Sequence, residues 1–174
     1  MADPPALRIE RIRKDHERAS FDCGIEELNV FLSKYARQSE EFGLARTFVA
    51  IRPGETKVLG YYTVRNGETE VQNLRPEETK RFPRYPVPVV HLARLAVDRT
   101  AQGQRLGERL LLDAVERALA VSRSVAAYAV EVVAINDAAK RFYLKYGFRE
   151  LLDDKLHLYL SMKTIARLFG KLYV

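Results

Sequence analysis

The sequence predicts an α/β fold in a single domain spanning residues 1–174, a central sheet with helices packed on it, and three observations carry that expectation. Segments with an apolar residue at every second position alternate with segments whose apolar residues recur every three or four, the periods of a half-buried strand and of an amphipathic helix. The run VVHLARLAVD, Val89 to Asp98, is almost continuously apolar, as befits a strand covered on both faces. A chain of 174 residues, 47% hydrophobic and 30% charged, is long enough to bury a core without disulfide or metal support.

Taken in order, LRIERI alternates as a first strand should. In FDCGIEELNVFLSKYARQ, Ile25, Leu28, Phe31, Leu32, Tyr35 and Ala36 fall at helical spacing, with Asp22 as the expected cap and Glu26 and Glu27 in the dipole-favoured first turn. ARTFVAI and KVLGYYTVR flank the turn sequence RPGE and read as an antiparallel hairpin. Residues 66–88 carry four prolines and alternating charge, which predicts an irregular excursion with one short helix around PEETKR. After the central strand, Leu106, Leu110, Leu111, Ala114, Val115, Ala118 and Leu119 predict a helix. VAAYAVEVVAIN is the next strand, DAAKRFYLKYGF a helix closed by Gly147, KLHLYLSM a last strand, and KTIARLFGKLYV a terminal helix.

Cys23 is the only cysteine, so no internal disulfide forms and a reducing compartment is expected. No apolar run approaches the roughly 20 residues that cross a bilayer, and the start MADPPALRIERIRKDHERAS lacks a signal-peptide core. The expectation is a cytoplasmic protein. Its 29 Lys and Arg against 23 Asp and Glu leave +6, with an isoelectric point near 9.5, which favours polyanions such as RNA or phosphorylated ligands. Interleaved acids make an ordinary solvated surface an equal explanation.

Two stretches can carry chemistry. AQGQRLG stands where a strand becomes a helix; the first N–H groups of a helix lack intrahelical partners and, with the helix dipole, form an anion site. Glycines let a pyrophosphate approach the backbone, and Gln102 and Arg105 can add donors. Neither the Walker pattern nor GxGxxG fits, which argues against a phosphate-loop NTPase or an NAD enzyme; a purely structural turn fits equally. The second stretch is NDAAKRFYLKYGF. Asn136 sits at a strand end, where ligands of α/β sheets gather, and the phenol of Tyr143 can protonate a leaving thiolate. By itself this stretch also reads as an aromatic core stripe with a glycine cap.

Together, LARLAVDRTAQGQRLGERLL and NDAAKRFYLKYGF resemble the GCN5-related N-acetyltransferase (GNAT) superfamily, whose acetyl-CoA loop reads Gln/Arg-x-x-Gly-x-Gly/Ala. The resemblance implies the GNAT fold: a mixed, mostly antiparallel central sheet flanked by helices on both faces. It implies acetyl-CoA as co-substrate and no metal. Leu95, Ala96 and Val97 would offer backbone hydrogen bonds to the pantetheine arm. Gln102, Gly103, Gln104, Arg105, Leu106, Gly107 and Glu108 would clasp the diphosphate, Arg105 standing where the family usually has glycine. Asn136 would contact the cofactor, and Tyr143 would be the catalytic acid.

FDCGIEELNVFLSKYARQ, with Asn29 in place of the usual Asp, and PRYPVPVVHLARLAVD are more closely similar to the acetyltransferase toxins of bacterial toxin–antitoxin modules. These resemblances cover most of residues 20–150. They imply acetylation of the α-amine of aminoacyl-tRNA, blocking translation, with a ribbon-helix-helix antitoxin and a homodimer. A GNAT acting on a small amine or a protein lysine, and a non-catalytic RNA- or partner-binding module, remain as alternatives.

An aminoacyl ester's amine lacks the carboxylate that keeps a free amino acid basic, so little general-base help is needed. His16, His91 and His157 show no spacing for a metal or triad; His91 alone, on the strand leading to the acetyl site, is a candidate for substrate contact. Cys23 reads as a small buried residue. Arg94 and the arginines from Arg75 to Arg84 are candidates for tRNA phosphates, and equally for solvated surface.

Overall fold

The computed structural model describes residues 6–169. Its strands are β1 (Arg8–Arg11), β2 (Arg46–Ile51), β3 (Gly60–Thr69), β4 (Val87–Val97), β5 (Ala129–Val133), β6 (Arg149–Glu150) and β7 (His157–Ser161). They form one sheet in the order β1-β2-β3-β4-β5-β7-β6. The pairs β1–β2, β2–β3, β5–β7 and β6–β7 are antiparallel, and β4–β5 is parallel, from Val89↔Ala129 to Leu92↔Val132. The helices are α1 (Glu26–Val30), α2 (Ala36–Glu41), α3 (Pro76–Thr79), α4 (Leu106–Val121), α5 (Asp137–Lys145) and α6 (Met162–Leu168). This is the mixed-sheet α/β architecture expected. No helix among the described residues is long and apolar enough to cross a membrane.

The chain folds as two compact units, the first formed by the chain up to Arg65 with Ala93–Ala114, the second by Asn66–Leu92 with the chain from Val115 on. In the first unit Ile12, Phe21, Leu28, Leu32, Tyr61 and Ala96 share one core. Tyr61 is wholly buried and donates its hydroxyl to the Leu28 carbonyl at 2.8 Å, which satisfies the one polar atom a buried tyrosine brings.

Several expectations need correction here. The first helix starts at Glu26, and Asp22 is not its cap; Ile25 holds that position without a side-chain bond. Gly24 takes φ +91 and turns the chain earlier. Asp22 closes that turn, accepting from Gly24 N at 2.9 Å and Asn29 Nδ2 at 3.2 Å, while Asn29 Oδ1 accepts from Cys23 N at 2.9 Å. A π-helical turn over Phe31–Tyr35 separates α1 from α2. Its extra residue per turn shifts the apolar stripe, so Leu28, Phe31, Leu32 and Ala36 are buried while Tyr35 is 51% exposed. Ile25, lying before the helix, is also exposed.

The hairpin is real, but its connection runs from Arg52 to Leu59 rather than closing tightly at RPGE. Strand β3 begins at Gly60, where an added Cβ would lie 2.9 Å from Leu110 Cδ1 and 3.2 Å from the Ala96 carbonyl; only glycine lets β3 and α4 approach so closely. β3 then continues to Thr69, four residues past the point where an irregular segment was expected. The short helix in that segment is α3. All seven apolar residues expected on the buried face of α4 are buried.

In the second unit Leu74, Val87, Val89, Ala129, Leu151 and Tyr159 form the core. The Glu78 carboxylate on α3 accepts hydrogen bonds from Tyr128, from Tyr159 at 2.8 Å and from Arg149 at 2.7 Å, and Leu152 N donates to the Asn73 carbonyl at 2.8 Å. The excursion is thereby fastened down. Gly147, φ +95, ends the region of α5 as anticipated. β5 and β7 are shorter than expected, and β6, at two residues, is too short to show any period. Residues 170–174 of the terminal helix expected from sequence lie outside the described residues.

Candidate active site

The turn that follows β4 is built by Asp98, a residue that no motif in the sequence singles out. It is buried, accepts from Thr100 N at 3.0 Å and Thr100 Oγ1 at 2.7 Å, and from Asp22 N at 2.9 Å. Burial alone would raise its carboxyl, but these donors outweigh burial and hold it below the usual carboxylate range. The signal was present as Asp-x-Thr, a side-chain-closed turn. Gln102 Nε2 donates to the Val97 carbonyl at 2.9 Å and to the Cys23 carbonyl at 3.3 Å. Gln102, Gly103, Gln104 and Arg105 are otherwise exposed.

Two residues in this turn are left-handed, Gly103 at φ +79 and Arg105 at φ +61. The second is the position where the resemblance expects glycine, so this chain places an arginine in a conformation that costs about 1 kcal/mol for a side-chain-bearing residue. Arg105 O accepts from Arg109 N at 3.2 Å and so opens α4. Leu106, Gly107 and Glu108 are then the first residues of a 16-residue helix, and their N–H groups have no intrahelical acceptor. A three-amide end of a long helix, flanked by exposed Arg105, has the donor chemistry that a diphosphate requires. Leu95 and Val97 are half-buried and Ala96 is buried.

An alanine at Gly103 would meet nothing within 4 Å, so any loss would be backbone alone. Gly103→Ala is expected to cost about 1–2 kcal/mol and to weaken coenzyme A binding, which denaturant melts and calorimetry with coenzyme A will measure. Arg94, offered as a substrate contact, lies with its guanidinium 3.6 Å from the centroid of the Phe31 ring, a cation–π contact. Cys23 is half-buried and burial pushes its thiol up, which removes it from nucleophilic roles near neutrality.

In the second unit Asn136 is exposed and caps α5, its Oδ1 accepting from Ala139 N at 2.8 Å. Tyr143, on the same helix, is 6% exposed. Its ring packs edge-on to Phe142 at 5.2 Å and tilted to Phe148 at 5.4 Å. Burial pushes its phenol well above the ordinary tyrosine range, so it is a neutral hydroxyl, a donor, at any working pH.

His91 Nδ1 stands 3.5 Å from the buried Glu131 carboxylate, and His157 Nε2 lies 2.8 Å from the same oxygen while its Nδ1 faces Asp153 at 2.9 Å. The His157–Glu131 contact is an ion pair set off the line of an N–H···O bond. The Glu131 interaction, opposed by burial and aided by Asp153, raises His157 to about 9 from 6.5. Burial works to raise Glu131, but His157 and His91 together bring it from 4.5 down to about 2. The raised histidine contributes fully below pH 6.5 and loses its contribution as pH climbs through 9. The depressed carboxylate contributes above pH 4.5 and loses its contribution as pH falls toward 2. Urea unfolding is therefore expected to show a stability maximum between pH 4.5 and 6.5, declining on the alkaline side by on the order of 1–2 kcal/mol, a decline that His157→Gln abolishes.

A tRNA-acetylating toxin of Mycobacterium tuberculosis (strain ATCC 25618 / H37Rv) is 37% identical to this chain over 160 residues, covering 92% of this chain and 95% of the relative. The structure of AtaT complexed with acetyl-methionyl-tRNAfMet matches with a TM-score of 0.89 at 32% identity, covering 94% of this chain and 99% of that one. The crystal structure of AtaTR bound with AcCoA matches with a TM-score of 0.83 at 32% identity, covering 94% of this chain and 98% of that one. Residues 9–148, well over half of the sequence, match the acetyltransferase (GNAT) family, and with the strand order and the helix-opening turn described above, the chain belongs to that family.

Proposed function

We propose that the protein transfers the acetyl group of acetyl-CoA to the α-amine of an amino acid esterified to tRNA, and so acts as a toxin that blocks translation. The observation that supports this reading is the turn Asp98–Arg105, with left-handed Gly103 and Arg105, which opens α4 so that its first amides lack intrahelical acceptors, the donor chemistry a diphosphate takes. The likeness to a tRNA-acetylating toxin over 92% of the chain supports the choice of acceptor.

In this reading acetyl-CoA supplies an activated acyl carbon. The amides of Leu106, Gly107 and Glu108, with Gln102 to Arg105, hold the diphosphate, and Leu95 to Val97 orient the pantetheine arm. The neutral amine attacks the thioester carbon; the N–C bond forms, the C–S bond breaks, and Tyr143 gives its proton to the departing sulfur. The proton released by the amine leaves to solvent, and Tyr143 is reprotonated from there. Low-dielectric surroundings that lift the phenol also raise the thiolate's proton affinity, which keeps the transfer feasible. Asn136 contacts the cofactor, and His91 and Arg94 face the substrate.

The same reading takes the chain as one catalytic domain, cytoplasmic and homodimeric, neutralised by a ribbon-helix-helix antitoxin. The test is incubation with labelled acetyl-CoA and either charged or uncharged tRNA. Label on charged tRNA alone is the expected result; label only on polyamine or protein lysine would transfer the assignment to another acceptor.

A further inference from the structure

Outside the turn and Tyr143, the second unit holds a concave site of about 520 Å³ on the proline-rich excursion, lined by Glu70, Gln72, Lys80, Phe82, Arg84 and Tyr85 among others. Its size falls within the range of small-ligand pockets. Its walls are held in place. Glu78 ties α3 to Tyr128, Tyr159 and Arg149, Phe82 packs edge-on to Tyr128 at 5.2 Å, and Leu74 beneath is 1% exposed.

Arg149 is paired with Glu77 and Glu78, whereas no ion pair joins Lys80 or Arg84 to an acid among the described residues. Beside these two cations Tyr85 leaves 67% of its surface in solvent, so its ring is open to a ligand. Unpaired cations next to an open aromatic face suit an anion attached to a flat ring. Glu70 and Gln72 add acceptor and donor groups of the kind that meet the amino and ring-nitrogen edges of bases.

We infer that this pocket binds one unpaired nucleotide of the RNA substrate, its phosphate on Lys80 and Arg84 and its base stacked on Tyr85. The inference rests on the proposed function for the identity of the RNA, but not for the existence of the site. Single-stranded recognition fits better than a duplex, because stacking on one exposed ring requires a base splayed out of its helix.

The test uses the full chain, a fluorescently labelled single-stranded RNA of a dozen nucleotides, pooled aminoacyl-tRNA and an amino-acid methyl ester. Lys80→Ala with Arg84→Ala is expected to lower oligonucleotide affinity about tenfold and to reduce the salt slope by about one to two. Tyr85→Ala is expected to lower affinity about tenfold with the slope unchanged, and Tyr85→Phe to restore it. In transfer assays KM for aminoacyl-tRNA rises in step, while kcat and transfer to the methyl ester stay at the parent's values. Parental affinity in all variants overturns the inference, as does a loss confined to the double variant, which would make the rim a mere cationic patch. If the variants lose the oligonucleotide but the parent never labels charged tRNA, the proposed function fails and the nucleotide site stands.

Discussion

Replacing Tyr143 with phenylalanine is expected to lower kcat for acetyl transfer by about 100- to 10,000-fold, the usual worth of a positioned general acid, while the melting temperature stays within a degree or two of the parent's. The two outcomes separate because the substitution removes one oxygen and nothing else. The ring keeps its contacts with Phe142 and Phe148, and the hydroxyl donates to no group among the described residues, so no buried partner is orphaned. Coenzyme A affinity by calorimetry should be unchanged, which places the loss in the chemical step. A variant that releases thiol at the parental rate would remove Tyr143 from catalysis and leave it an aromatic core residue.

Truncating Glu78 to alanine is expected to destabilise the second unit by about 2–4 kcal/mol, because three donors lose one acceptor at once. They do not contribute equally. Arg149 is 46% exposed in its side chain, and a pair of that kind is worth about 0–1 kcal/mol. Tyr159 is 2% exposed; its hydroxyl, pushed up to about 12 by burial and by the Glu78 bond, would be left in the interior without a partner. Most of the loss therefore lies on the bonds from Tyr159 and Tyr128. Urea titration of Glu78→Ala beside Tyr159→Phe tests the division: the double variant should be less destabilised than the sum of the two singles. Glu78→Ala should also loosen the rim of the nucleotide pocket, since α3 would lose its anchor.

Legibility in the sequence followed the length of each regular pattern. Helix α4 repeats its apolar spacing over almost four turns, so its buried face is readable from Leu106 to Leu119. The first helical segment defeats the same reading where a π turn shifts the stripe, an effect that depends on packing and leaves no periodic trace; Tyr35 is misplaced for that reason. β3 is cut short in the sequence because Asn66 and Gly67 are turn formers in isolation, whereas in the sheet Gly67 lies 3.3 Å, measured from where its Cβ would be, from the Cβ of His91. For the candidate site, the glycine turn and the Asn–Tyr helix can be read from residue type and order. The Asp98-x-Thr100 turn can be read the same way, but the bond Asp98 accepts from Asp22 N cannot, since it arrives from a distant segment. Nor can the left-handed Arg105, where the chain uses a residue that avoids that conformation.

The joining of that turn to the start of the chain affects how the protein acquires its activity. Asp22 N reaches Asp98 and Gln102 reaches Cys23, contacts separated by 76 and 79 residues. Closing loops of such length costs entropy that only completed packing can offset. The Asp22 and Thr100 amides that Asp98 holds should therefore be among the last groups to gain protection from hydrogen exchange during refolding and among the first to lose it under mild denaturant. A nascent or partly unfolded chain would carry native-like helices yet have no grip on its acyl donor, so competence for transfer would arrive only at the end of folding.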